Sequence, residues 1–177
     1  MVDVDALVER SMRPLPDEGL EALHWRVHGS PGHPYVRFLY WLALELEPPL
    51  SLELGTEWGV TSEHLCAAAE RFGGTVAGVD QVVEQRVHRA NYRFFHALSL
   101  DAFPAIKAIG LPLGLVFQDT RMATQRAEWD LYSTLMPPGA VWVADDVEGN
   151  ANWDSFPLAE KREVRGLHGE VVMGVGW

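Results

Sequence analysis

The stretch Leu50-Ser-Leu-Glu-Leu-Gly-Thr-Glu-Trp-Gly-Val-Thr-Ser62 is followed by Val76-Ala-Gly-Val-Asp80, and these two segments decide the fold of the chain. The alternating leucines of the first segment predict a buried strand, and residues 61–70 have the pattern of the helix that follows it. Gly55 and Gly59 lie between strand and helix, where a tight turn and the close approach of a ligand both favour glycine. The sequence therefore predicts a strand, a glycine turn, a helix and a second strand.

Both predicted strands carry a carboxylate close to their carboxyl ends. Asp80 follows the glycine turn by about twenty residues, a separation at which a carboxylate accepts hydrogen bonds from the two hydroxyls of a ribose. The turn Gly55-x-x-x-Gly59 lacks the three-glycine pattern that brings a backbone against a pyrophosphate. A nucleoside cofactor without phosphates therefore fits this turn better than a nicotinamide dinucleotide does.

The combination of Glu53-x-Gly55-x-x-x-Gly59 with Asp80 resembles the first two motifs of the class I S-adenosylmethionine (SAM)-dependent methyltransferases, which have a Rossmann-like fold. The resemblance implies that Glu53 supports the glycine loop or reaches the methionine amino group, and that Thr56 or Ser62 bonds the methionine carboxylate. It also places a glutamine and a serine beside the adenine. The family usually has Gly-Asp directly before that serine, and this chain has Ala97-Leu98 there. The full set of implied cofactor-binding residues is Glu53, Gly55, Thr56, Gly59, Ser62, Asp80, Gln81, Ser99 and Asp119. Of these, Gln81 and Ser99 are the two beside the adenine.

The rest of the chain alternates between predicted strands and helices. Strands are predicted at residues 50–54, 75–79, 92–96, 113–118, 140–144, 162–167 and 170–176, and helices at residues 17–28, 35–46, 61–71, 84–89, 101–109, 124–135 and within 150–161. This alternation predicts an α/β fold with a doubly wound, mostly parallel seven-stranded sheet whose last strand is antiparallel. We expect one domain over residues 1–177, with an N-terminal helical cap at 1–48 and a Rossmann-like core at 49–177.

Three aspartates follow the ends of two predicted neighbouring strands: Asp119, Asp145 and Asp146. Carboxylates at this edge of an α/β sheet supply the oxygen ligands that Mg²⁺ or Ca²⁺ prefers, or they cap helices and face solvent without a metal. Residues 116–119 and 141–147 resemble the metal-binding segments of catechol-type O-methyltransferases. That resemblance implies a divalent ion held by the three aspartates, with Asp119 and Asp145 as catalytic residues that help to activate a substrate hydroxyl.

The resemblance is incomplete at one position. Small O-methyltransferases of the catechol type carry a lysine three residues after the first aspartate, and methyltransferase-24 or cephalosporin-hydroxylase-like sequences carry a histidine, whereas this chain has Met122. The implied function is O-methylation of a small-molecule hydroxyl by SAM. The alternative is a non-catalytic or regulatory SAM-binding protein, and a nicotinamide-dependent reductase is a third possibility that the glycine spacing disfavours.

Composition limits the partners and the compartment. A net charge of −11 disfavours nucleic acid and favours a small-molecule acceptor or a basic patch on a protein, and the single Cys66 permits no internal disulfide. The acidic N-terminus and the lack of an apolar run of about 20 residues predict a cytoplasmic protein that does not cross a membrane. The apolar helix at residues 35–46 is expected to pack on the sheet or in a homodimer. His24, His28 and His33 are spaced for zinc, although surface positions or a role as the missing base are alternatives.

Overall fold

The seven strands expected from the sequence form one sheet. The structure, a computed structural model, describes residues 2–28, 34–82, 87–148, 150–165 and 171–177. Its strands are β1 (Leu50–Leu54), β2 (Thr75–Asp80), β3 (Tyr92–His96), β4 (Leu113–Gln118), β5 (Val141–Asp145), β6 (Lys161–Arg165) and β7 (Val171–Gly176). Their order is β3-β2-β1-β4-β5-β7-β6, and β7 runs antiparallel to both of its neighbours while the other pairs are parallel. The predicted fold class is confirmed.

Seven α-helices accompany the sheet within the described residues. They are α1 (Val4–Ser11), α2 (Glu18–His28), α3 (Pro34–Leu46), α4 (Val60–Ala69), α5 (Ser99–Lys107), α6 (Met122–Tyr132) and α7 (Ala151–Ser155), and a 3₁₀ turn (Ser133–Leu135) follows α6. The helix α1 was not predicted from the sequence. Of the helix predicted at residues 84–89, positions 87–89 are not helical and the rest lies outside the described residues, as does the turn between β6 and β7. No described helix combines the length and apolarity needed to cross a bilayer.

The helices cover both faces of the sheet because successive strand residues point to opposite faces. In β5, Val141 and Val143 pack in the core that α1, α3 and α4 share, whereas Trp142 and Ala144 pack in the core beneath α5, α6 and α7. The apolar helix α3 is buried within the chain, where it contacts α1 and α4. The sheet is therefore doubly wound, as predicted.

The strand order reverses beside β1, which lies between β2 on one side and β4 on the other. At such a reversal the loops leave the sheet in opposite directions and open a crevice above the carboxyl ends of the strands. The loop after β4 stays beside the end of β1 there, since the Asp119 backbone N–H donates to the Leu54 carbonyl at 2.8 Å. This crevice is therefore the position at which a ligand is expected to bind.

Candidate functional site

The glycine turn lies against the loop that follows β4. Gly55 has a φ of 85°, and a Cβ atom built on it would stand 1.9 Å from the Asp119 carbonyl oxygen. Gly59 has a φ of 84° and occupies the N-cap position of α4. Both predicted glycines are therefore required by backbone conformation, and Gly55 is also required by the contact between the two loops.

Asp80 connects the end of β2 to the glycine turn. Its Oδ2 accepts a hydrogen bond from the Glu57 backbone N–H at 2.7 Å, and its Oδ1 accepts one from the Val82 N–H at 2.7 Å. Each carboxylate oxygen can accept a second hydrogen bond, and Asp80 is only partly buried. Asp80 therefore shapes the turn and still presents acceptors to the crevice.

Two adjoining cavities occupy the crevice. The larger has a volume of about 310 Å³, and its lining includes Asp80, Gln81, Ser99, Thr120 and Arg121. The smaller measures about 40 Å³, and its lining includes Tyr35, Glu53, Thr56, Trp58 and Thr61. Gly55 and Asp119 line both cavities, so the two spaces meet where the loops after β1 and β4 touch. Tyr35 and Thr120 also line this site, although neither was predicted from the sequence.

Glu53 is buried, and its neighbours explain why it is tolerated there. Burial raises the pKa of Glu53 well above its ordinary value, while a hydrogen bond donated by Ser62 opposes the shift. Ser62 is itself fully buried. The Ser62 hydroxyl proton is therefore used within the core, and Ser62 lines neither cavity, so its assignment to the methionine carboxylate stays a prediction. Thr56, by contrast, lines the smaller cavity although it is largely buried.

Asp119 stands at the junction of the cavities among other acids. Desolvation by the surrounding walls, followed by repulsion from Asp145 and then Asp146, raises the pKa of Asp119 to about 7. Its side chain is accessible from the cavities even so. The three aspartates thus influence one another at the strand ends. Within the part of the chain that the structure describes, no three His, Cys, Asp or Glu side chains form a preassembled metal site.

Both residues expected beside the adenine line the larger cavity, and each makes a different hydrogen bond. Gln81 is exposed, and its carbonyl oxygen lies 2.9 Å from His96 Nε2. Ser99 begins α5, and its hydroxyl donates a hydrogen bond to the buried Glu128. The Ser99 hydroxyl therefore has no proton left to offer a ligand, although its oxygen can still accept.

Comparison with known proteins points to one fold. No protein-family model and no curated protein matches the chain. Among solved structures, cofactor-bound Rv0187 from MTB is 20% identical, with a TM-score of 0.72 over 98% of this chain and 94% of that one. TomG, an O-methyltransferase from Streptomyces achromogenes solved with SAM, is 20% identical, with a TM-score of 0.70 over 99% and 98%. The chain has the class I methyltransferase fold. An O-methyltransferase from Bacillus cereus in complex with SAH is also similar, with 17% identity and a TM-score of 0.65 over 97% and 90%.

The third residue after Asp119 is a methionine where the resemblance leads us to expect a lysine or a histidine. Met122 begins α6 and is 47% exposed, and its carbonyl oxygen accepts a hydrogen bond from Asn152 at 2.6 Å. A thioether cannot take up a proton near neutral pH. Asn150 is buried, and its side-chain amide donates to Gln125 Oε1 at 2.5 Å. The zinc interpretation of His24, His28 and His33 falls on side chains outside those that the structure describes.

Proposed function

We propose that this chain is a SAM-dependent methyltransferase that methylates a hydroxyl group of a small molecule. The observation that carries the proposal is the pair of cavities that meet at Gly55 and Asp119, one beside Asp80 and one beside Glu53. A nucleoside joined to an amino acid, without phosphates, matches such a pair. The fold, shared with O-methyltransferases solved with SAM or SAH, supports the same reading.

Each part of the cofactor has protein groups suited to it. The free acceptor positions of Asp80 suit the ribose hydroxyls, and Gln81 lies at the edge where the base would sit. Glu53 and Thr56 face the space for the methionine part. When bound, SAM supplies a methyl group on a sulfonium ion, and the acidic surroundings of Asp119 favour that positive charge.

We further propose that a divalent ion, Mg²⁺ or Ca²⁺, assists the reaction at Asp119, Asp145 and Asp146. Mg²⁺ is commonly held by only one or two carboxylates, with water and substrate oxygens completing its shell, so a preassembled set of three side chains is not required. The support is electrostatic. After desolvation, which is the largest cause, repulsion from Asp145 and Asp146 raises the pKa of Asp119, and a cation would relieve that repulsion. The ion would supply Lewis-acid activation of the acceptor hydroxyl.

A non-catalytic SAM-binding protein is the second candidate. It is favoured by Met122, which stands where related enzymes carry a basic side chain and has no acid–base chemistry of its own. Binding of SAH distinguishes neither candidate from the other, so turnover has to be measured separately.

The first test is calorimetric titration with SAH, once with Mg²⁺ and once with EDTA. We expect micromolar binding that Asp80→Ala abolishes and that Asp154→Ala, a change at an exposed aspartate on α7, leaves intact. Tighter binding with Mg²⁺ would support the metal site. Lack of binding in both buffers would reject the proposal.

The second test is release of SAH from SAM in the presence of catechols, phenols and sugars. We expect turnover with at least one acceptor, lowered by EDTA. Tight SAH binding without turnover on any of them would favour the regulatory candidate.

We also propose a cytoplasmic location, no nucleic-acid partner and a homodimer. The net charge of −11 argues against a nucleic-acid partner, and the single cysteine is compatible with a reducing compartment such as the cytoplasm. Light scattering after size-exclusion chromatography tests the dimer, and a monomeric mass would reject it.

A further inference from the structure

Glu128 is a buried acid beneath the larger cavity. It lies on α6, is 0% exposed, and accepts hydrogen bonds from three side chains. Ser99 Oγ donates to Oε1, whereas Gln118 Nε2 and Thr120 Oγ1 donate to Oε2 at 2.6 Å each. Ser99 and Thr120 line the cavity, but Glu128 is not among the residues that line it. Glu128 therefore acts on this space only through the two hydroxyls.

The network is held in place from below. Gln118 is fixed by the Trp142 indole N–H, which donates to its Oε1 at 3.2 Å, and by its own bond to the Gln125 carbonyl at 3.0 Å. The Tyr132 hydroxyl donates to the Ser99 carbonyl at 2.6 Å and so fixes the start of α5. A fully buried carboxylate requires such converging donors. The positions of the two hydroxyls are thus determined by groups outside the cavity.

The direction of these hydrogen bonds determines what the cavity wall can recognise. The three hydrogen bonds at Glu128 are all donated to its carboxyl oxygens, so Ser99 and Thr120 each use their single hydroxyl proton to bond Glu128. What remains on each oxygen is lone pairs. The wall therefore presents two acceptors and no hydroxyl donor to a ligand.

We propose that Glu128 is a positioning residue that makes this wall select a nucleoside base carrying an amino group over one carrying a carbonyl at the same position. The inference rests on the proposed function, since it takes the adenosine part of SAM as the ligand of the larger cavity. The exocyclic amine of adenine donates to the wall. The carbonyl of hypoxanthine would bring a further acceptor against the two hydroxyl oxygens, which have no proton to donate to it.

The substitution Glu128→Gln reverses part of this arrangement without changing the shape of the side chain. The amide oxygen satisfies Gln118 and Thr120, which donate to the same carboxylate oxygen, and this places the amide NH₂ against Ser99. Ser99 then accepts from the amide and turns its own proton toward the cavity. The variant wall offers one acceptor and one donor, so its preference for an amino group should disappear.

The experiment is calorimetric titration of the full chain with SAH and with its deaminated analogue, S-inosylhomocysteine. The wild type should bind SAH about tenfold or more tightly than the analogue, the ratio expected for one hydrogen bond made or lost. Glu128→Gln should bring the ratio to about one or invert it. Asp130→Asn, on the exposed side of the same helix, should keep the wild-type ratio.

The ratio separates a positioning role from general support of the fold. A variant that merely loosened the cavity would weaken both ligands equally and keep the ratio, and that result in a folded Glu128→Gln would overturn the proposal. If Glu128→Gln does not fold, Ser99→Ala and Thr120→Val decide, because each removes one acceptor and should lower the ratio. Equal binding of the two ligands by the wild type would also overturn it. Wild-type protein that binds neither ligand would instead reject the proposed function.

Discussion

Replacement of Gly55 by alanine tests whether contact between the loops after β1 and β4 builds the site. A non-glycine residue at a φ of 85° has a conformational cost of about 1–2 kcal/mol. The new Cβ would also lie 1.9 Å from the Asp119 carbonyl oxygen, and because both groups are backbone, the loops must separate. Overpacking of this kind costs about 1–3 kcal/mol.

The sum is a loss of about 2–5 kcal/mol in the free energy of unfolding, which for a chain of this size lowers Tm by about 4–20 °C. Separation of the loops also moves Asp119, so affinity for SAH should fall with stability. Urea unfolding and thermal unfolding measure the first effect, and calorimetry measures the second.

Gly139→Ala is the matched control. Gly139 has the same φ of 85°, but a Cβ there would meet no atom within 4 Å. Gly139→Ala should therefore lose only the conformational part, about 1–2 kcal/mol, and bind SAH normally. If the two alanine variants are equally stable, or if Gly55→Ala binds SAH as tightly as the wild type, the loop contact does not have the role assigned to it.

Three further predictions concern stability. In EDTA, the raised pKa of Asp119 means that the folded chain keeps a proton that the unfolded chain releases, so stability should fall as pH rises from about 3.8 to about 7. Asp119→Asn should flatten that part of a urea-unfolding pH series, and an unchanged slope would contradict the assignment. Leu39→Ala empties a fully buried position on α3 and should cost about 2–5 kcal/mol in chemical denaturation, whereas a loss below 1 kcal/mol would mean that the α3 core is loosely packed. Glu21→Ala removes the partner of Arg37 and of the Leu15 N–H, and should lower the free energy of unfolding by about 1–3 kcal/mol in chemical denaturation. The control Glu9→Ala breaks an exposed ion pair with Arg13 and should leave the free energy of unfolding nearly unchanged.

The sheet could be predicted because its signals are local. The four central strands β1, β2, β4 and β5 are short, largely apolar runs, and the glycines at 55 and 59 mark the turn after β1 by the backbone angles that it requires. The helix α1 was missed for the converse reason. It has only eight residues, and its buried Leu7 belongs to the core that it shares with α3, so its stability comes from a tertiary contact that no local pattern reports.

Topology also placed the acids correctly at one edge, because the carboxyl ends of parallel strands share it. It did not tell which neighbouring polar groups face the ligand. Ser62 lies only seven residues after Gly55, yet it is on the side of α4 that faces the sheet, where it meets Glu53 instead of the crevice. Position along the chain gives the neighbourhood of a side chain, and helical phase decides its direction.

Helical phase could have identified Glu128. Gln125, Glu128, Trp129 and Tyr132 are the buried residues of α6, at the spacing of one helical face. Two of them are polar and stand in an otherwise aromatic stripe. A polar group in such a stripe must find partners, since burial without hydrogen bonds costs more than a single helix can offset. An interrupted stripe therefore predicts a buried hydrogen-bond network from sequence alone. The partners of Glu128, Ser99 and Thr120, lie outside α6, and only the folded sheet brings them within hydrogen-bonding distance.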